Sequence, residues 1–204
     1  MAQAILQACL SVAALATWIR VVWCIAGFVR MFRNHARAEV SHWGLVQLAV
    51  VPEAYLLGIA ALFLWSKPEP VAPTTVALAS ACLGALLSVA GLAISIWTFV
   101  SFPSIGTGHY VAKGQQLVLR GPYAWLRHPT YLGVLLLWFG LAVAYRSIAV
   151  LLVACFYTAI YEVYARREEI MMSAAFGEAY DHYCSRVGRL LPRSWHPFRS
   201  KSVA

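Results

Sequence analysis

Charge is the scarcest ingredient of this 204-residue chain: only 12% of its residues are Asp, Glu, Lys or Arg. A soluble domain carries about a quarter, so this chain cannot clothe a water-facing surface of its own. Acidic residues are scarcer still, 8 against 16 basic ones. The five cysteines form no CxxC pair and no metal-like Cys/His spacing, which argues against a disulfide framework and against a zinc site. No basic stretch precedes the first apolar block, and that block continues past Arg20, so it does not read as a cleavable signal peptide.

What the chain has is apolar length. Hydrophobic residues make up 61% of it and the mean hydropathy is +0.69. They fall in blocks at 5–28, 43–65 and 71–100, each of the twenty or so residues that a helix needs to cross hydrocarbon. A fourth block, 131–164, is too long for one span and is divided by Arg146-Ser147, which predicts a helical hairpin. The fold class expected is an all-α polytopic membrane protein of about five transmembrane helices. Residues 1–100 supply three of them, 101–130 a cytosolic loop, 131–164 the hairpin and 165–204 a cytosolic tail.

The net charge of +8 raises the question of nucleic acid, but the basic residues flank apolar blocks and form no separate domain. With five spans, Arg30, Arg33, Arg37, Lys113, Arg120, Arg127 and seven residues from Arg166 to Lys201 fall on one face, against Lys67 and Arg146 on the other. Cytosolic loops carry the basic excess. The N-terminus is therefore expected outside and the C-terminus in the cytosol, in a bacterial inner membrane or the endoplasmic reticulum. Membrane lipids are the expected partners, and nothing indicates a protein partner. Ionisable groups within apolar blocks usually face a protein interior. On that ground Arg20 either snorkels or points inward, Glu53 satisfies a neighbouring helix, and Glu162 belongs to the site or to a packing pair. Gly84 and Gly91 suit close helix packing.

Two stretches carry chemistry. Gly121-Pro122-Tyr123-Ala124-Trp125-Leu126-Arg127-His128-Pro129-Thr130-Tyr131-Leu132-Gly133 precedes the hairpin. Arg166-Arg167-Glu168-Glu169, then Phe176-Gly177, Tyr180, Tyr183, Val187 and Arg189, follows it. A hairpin returns its ends to one face, so Arg127-His128 and Glu168-Glu169 are expected together at the cytosolic interface. Carboxylates hold ammonium or ribose hydroxyls, Arg holds carboxylates in a fork, and aromatic faces attract a sulfonium. The same residues would also serve as plain helix-end anchors paired with one another.

Both stretches resemble the isoprenylcysteine carboxyl methyltransferase family in the order Gly-x-Tyr-x-x-x-Arg-His-Pro-x-Tyr-x-Gly, Glu-Glu and Phe-Gly-x-x-Tyr-x-x-Tyr. The resemblance covers residues 115 to about 192. It implies S-adenosylmethionine as cofactor, bound by Gln115, Leu117, Val118, Tyr123, His128, Pro129, Thr130, Tyr131 and Glu168. It further implies a lipid-like acceptor from the bilayer, foremost the carboxylate of a prenylated cysteine. Arg166 and Arg127 are then the catalytic candidates, with Arg166 orienting the acceptor, and Tyr164 and Glu169 line the substrate. The chain departs from the family twice: Gln115 stands where His is common, and Tyr164 where the family has the arginine that contacts the substrate carboxylate. Other acceptors and cofactors stay open. A phospholipid amine would need a base, His128 or Glu169. Membrane sterol-type reductases, which bind NADPH, share a similar Arg-His-Pro-x-Tyr segment, and a non-enzymatic scaffold is a third reading.

Overall fold

The computed structural model describes residues 1–34, 38–41, 43–66, 73–102, 110–112, 116–194 and 196–198. Long helices dominate: α1 (Ala2–Asn34), α2 (Trp43–Ser66), α3 (Thr75–Ser101), α4 (Pro129–Ala144) and α5 (Ile148–Phe176), followed by the short α6 (Glu178–Arg186). A two-stranded antiparallel ribbon, β1 (Ala38–Ser41) with β2 (Tyr110–Ala112), ties the α1–α2 connection to the segment after α3. Nothing in the hydropathy pattern announces it.

Helix directions follow from side-chain pairings. Cys9 meets Cys82, Arg20 meets Ser95 and Trp23 meets Phe99, so α1 and α3 run parallel. Gly84 faces Ala144 and Gly140, and Gly91 faces Gly133, so α4 runs against α3. Trp138 stacks on Tyr157 and Tyr131 on Tyr161, so α5 runs against α4.

Among the described residues, three helices are long and apolar enough to cross a membrane: Ala2–Ala26, Thr75–Ser101 and Ile148–Phe176. The apolar stretch Pro52–Ser66 of α2 and all of α4 are shorter. Exposed large side chains, among them Leu15, Ile59, Phe63, Leu86, Leu152 and Phe156, cover the outside of the bundle. Water would penalise that belt and lipid does not. The chain is an integral membrane protein.

α4 is central. It is apolar all round and Leu135, Leu137, Trp138 and Leu141 are buried, as befits a helix enclosed on every side. Small residues bring α3 onto it backbone to backbone. A Cβ on Gly91 would lie 2.5 Å from the Gly133 carbonyl oxygen, and one on Gly133 2.6 Å from Ser95 Oγ. Helices in lipid associate through such close contact, since apolar side chains gain little by leaving lipid for protein. Deeper in the bundle, Trp138 Nε1 donates to Glu53 Oε1 at 2.9 Å, and both residues are buried. Glu53 thus ties α2 to α4, a partner that its own block does not reveal.

The hairpin turn is three residues long. Pro129 occupies the first turn of α4, where its missing N–H costs nothing. At the far end Arg146 takes φ +50°, and Ser147 caps α5 by accepting from the Val150 N–H at 3.3 Å. Beyond residue 164 the chain stays helical: α5 carries Glu168 and Glu169 as far as Phe176, and Gly177, at φ +55°, breaks it from α6.

Candidate functional site

One end of the bundle gathers the last turn of α3, the start of α4, the last turns of α5, and α6. A 3-10 turn, Gly121–Ala124, leads into α4. Gly121 has φ +62°, and a Cβ there would collide with Ser101 of α3, so only glycine fits. The tail after α6 clamps this turn. Tyr183 Oη donates to the Tyr123 carbonyl at 2.7 Å, Arg127 N–H donates to the Gly188 carbonyl at 2.9 Å, and His128 N–H to the Arg189 carbonyl at 3.1 Å. Tyr180, Tyr183 and Val187 form a small core of their own, with Leu117 packed against it. The Phe-Gly-x-x-Tyr-x-x-Tyr pattern is therefore the clasp of the site.

His128 stands at the N-cap of α4 but makes no side-chain cap bond. Its imidazole turns across the hairpin instead. Nδ1 lies 3.2 Å from Glu168 Oε2 and Nε2 3.1 Å from Glu169 Oε1. A carboxylate facing each nitrogen calls for a proton on both, since a neutral ring would turn a lone pair toward one of them. Burial disfavours the charged ring, yet hydrogen bonds and charge from the two glutamates outweigh it and hold His128 above its ordinary value. The ring stacks on Tyr131 at 5.3 Å between centroids, and Tyr131 stacks on Tyr161 at 4.5 Å. The Tyr131 hydroxyl is buried beside Glu168 without meeting good hydrogen-bond geometry to any described residue. Tyr123 reaches Thr130, and burial followed by the charge of Glu168 raises its phenol well above the usual range.

Glu169 is the hub of an ionic array. Arg189 grips it in a fork, with Nε to Oε1 at 2.9 Å and Nη2 to Oε2 at 2.7 Å. Arg127 Nη1 lies 3.3 Å from the same carboxylate. Arg189 also donates to Glu162, which pairs with Arg166 one helical turn away at 3.0 Å. Hydrogen bonding to Glu169 is the main cause that lifts Arg189 further above the ordinary arginine value.

Of the residues singled out in the sequence, Arg127, His128, Tyr131, Glu168 and Glu169 come together here, with Tyr123, Pro129 and Thr130 beside them. Leu117 sits under α6 and Val118 is half-buried in the same irregular segment that leads to the turn. Tyr164 packs against the bundle core one turn before Glu168. The Arg166 side chain is 67% exposed and pairs with Glu162. Gln115 lies outside the described residues. Arg189 belongs to the second stretch but was given no role in the site, because one arginine in a basic tail looks like any headgroup anchor. Its two-residue offset from Val187 and the Tyr183 clasp was the available signal.

The donors suit an adenosyl cofactor bearing an amino-acid end. Glu168, 8% exposed, offers a carboxylate for a ribose diol or an ammonium. The Tyr131 hydroxyl has hydrogen-bonding capacity in hand, and the aromatic stack offers faces to a sulfonium. Among the described residues no cluster of His, Cys, Asp and Glu is arranged to hold a metal.

Comparison with known families agrees in kind. Residues 79–179, just under half of the chain, match the family described as phospholipid methyltransferase, a membrane methyltransferase family related to the isoprenylcysteine carboxyl methyltransferases. The matched segment covers most of α3 and all of α4 and α5, and holds His128 with its side-chain partners Glu168, Glu169 and Tyr131, while Arg189 lies beyond it. No curated protein matches the chain.

Proposed function

We propose that this protein transfers a methyl group from S-adenosylmethionine to a lipid acceptor drawn from the bilayer, with a phospholipid amine as the acceptor. The single observation that carries this reading is His128 held between Glu168 and Glu169 at the mouth of the hairpin, inside the segment that matches the family. The cofactor, when bound, supplies an electrophilic methyl whose departure leaves a neutral thioether. Glu168, Tyr123, Thr130 and Tyr131 bind it. His128 keeps its two protons on the glutamates and so orients Glu168 rather than acting as a base.

An acceptor amine arrives as an ammonium and must lose a proton before its lone pair can form the new N–C bond. Of the two candidate bases, His128 is committed on both nitrogens, and Glu169 is no better. Burial alone would raise its carboxyl, but hydrogen bonds from His128 and Arg189 hold it down at about 2. The ammonium therefore gives its proton to cytosolic water before transfer. The chain's remaining contribution is alignment and exclusion of water by the clasped turn. In this reading the site faces the cytosol and the N-terminus lies outside, which the distribution of basic residues supports.

Methylation of a prenylcysteine carboxylate is the second reading, favoured by the Glu-Glu and tail pattern. Against it stands Tyr164, placed where that family has its carboxylate-binding arginine. Purified protein supplied with labelled S-adenosylmethionine and either phosphatidylethanolamine or a farnesylcysteine analogue separates the two. Label in phosphatidylethanolamine is expected; label in the farnesylcysteine analogue alone would reverse the assignment. Thermal stabilisation by NADPH but not by S-adenosylhomocysteine would instead point to a reductase.

A further inference from the structure

Beside the ionic array lies an open cleft of about 490 Å³, lined by Arg127, Glu162, Arg189, Leu190, Leu191 and Arg193 among others. Three guanidinium groups face one carboxylate there, so its lining is net cationic. The three arginines differ in how far their donors are met. Arg189 is directed at Glu162 and Glu169, and Arg193 donates Nη1 to the Ser185 carbonyl at 2.8 Å. Arg127 has its 3.3 Å approach to Glu169, but its buried Nε meets no hydrogen-bond partner among the described residues. A buried charged donor without an acceptor is costly, and an anion in the cleft would remove that cost.

The other lining residues say what kind of anion. Leu190 packs against the bundle core, while Leu191 is 73% exposed. Glu162, on the same wall, lies in α5 next to Val163, an exposed apolar side chain. The cleft thus sits where charged lining meets the apolar belt. A free phosphate has no use for leucines at this border, whereas a phosphate that carries acyl chains does.

We infer that this cleft binds the phosphate of a glycerophospholipid, with Arg127 and Arg193 as donors and Leu190 and Leu191 against its glycerol and upper chains. It rests on the proposed function in taking this lipid as the methyl acceptor. Seated this way, a two-carbon amine arm stays within the cleft that Glu162 lines, adjoining Glu169.

The test uses full-length protein in detergent and three probes: dihexanoyl phosphatidylethanolamine, dihexanoylglycerol, which lacks the phosphate, and inorganic phosphate. Variants are Arg193→Ala and Arg193→Glu, with S-adenosylhomocysteine affinity as the check on folding. The phospholipid is expected to bind more tightly than either other probe. Arg193→Ala should weaken it about tenfold, the loss of one charge-assisted contact, and Arg193→Glu further, with S-adenosylhomocysteine affinity unchanged. Wild-type phospholipid affinity in both variants overturns the inference. So does equal binding of dihexanoylglycerol, and so does inorganic phosphate binding as tightly as the lipid. Phospholipid binding that responds to the variants in a protein that ignores S-adenosylhomocysteine upholds the cleft and removes the methyltransferase.

Discussion

The two ends of the α4–α5 hairpin are built on opposite principles. The closed end needs three residues: Ser147 caps α5, Arg146 takes a left-handed conformation, and Tyr145 N–H bonds back to Leu141. The bonds that shape this turn are local, although the Tyr145 hydroxyl also donates to the Leu10 carbonyl at 3.0 Å. The open end joins residues 20 to 60 positions apart, as His128 meets Glu168 and Glu169, Arg189 meets Glu169, and Tyr183 meets the 123 carbonyl. Local chemistry closes the fold, and long-range charge builds the site.

No single break is expected to cost more stability than one at the open end. Arg189→Ala strips Glu169 of its fork and should cost about 2 kcal/mol, the scale for losing charge-assisted hydrogen bonds at a half-buried pair. Arg166→Ala, on an exposed pair of the same array, should stay within about 0.5 kcal/mol. Equal thermal shifts for the two would show that the array is not organised around Arg189. Between the two ends, Trp138→Phe leaves Glu53 without its indole donor, at about 2 kcal/mol in a thermal or denaturant melt. Ser147→Ala should cost about 1 kcal/mol and leave cofactor affinity untouched, because the cap serves only the closed end.

A pH titration sharpens the contrast. His128 is held above its ordinary value of 6.5, so its ionic contribution to stability is fully present below that value. It is lost as pH rises through the raised value. The wild-type melting temperature should therefore fall as pH rises above about 6.5, and His128→Gln should flatten that fall. A wild-type profile as flat as that of the variant would mean the imidazole is not charged in the fold.

Much of the architecture was legible because lipid imposes a simple rule. Blocks of twenty apolar residues announce helices, and Arg146-Ser147 cannot continue through hydrocarbon, so the hairpin and the return of 168 to 128 could be read in advance. What failed to show has physical reasons too. The ribbon strands are four and three residues long, too short to display alternation. Arg166 is the candidate for orienting the acceptor, two residues after Tyr164, where the resembled family has its arginine. Two residues along a helix, however, is some 200° around it, so Arg166 faces away from the wall that Tyr164 and Glu168 share. Arg189 and the Glu53–Trp138 bond depend on partners 20 and 85 positions away, which no local pattern encodes.

In the proposed mechanism, His128 and Glu168 form one cofactor pocket across the open hairpin. Equilibrium binding of labelled S-adenosylmethionine to the wild type, Glu168→Ala and His128→Ala tests this most directly. Saturable binding to the wild type that drops by about a hundredfold or more in Glu168→Ala, the loss of a buried charged partner, with a clear loss in His128→Ala, is the expected result. Unchanged affinity in both variants would contradict it.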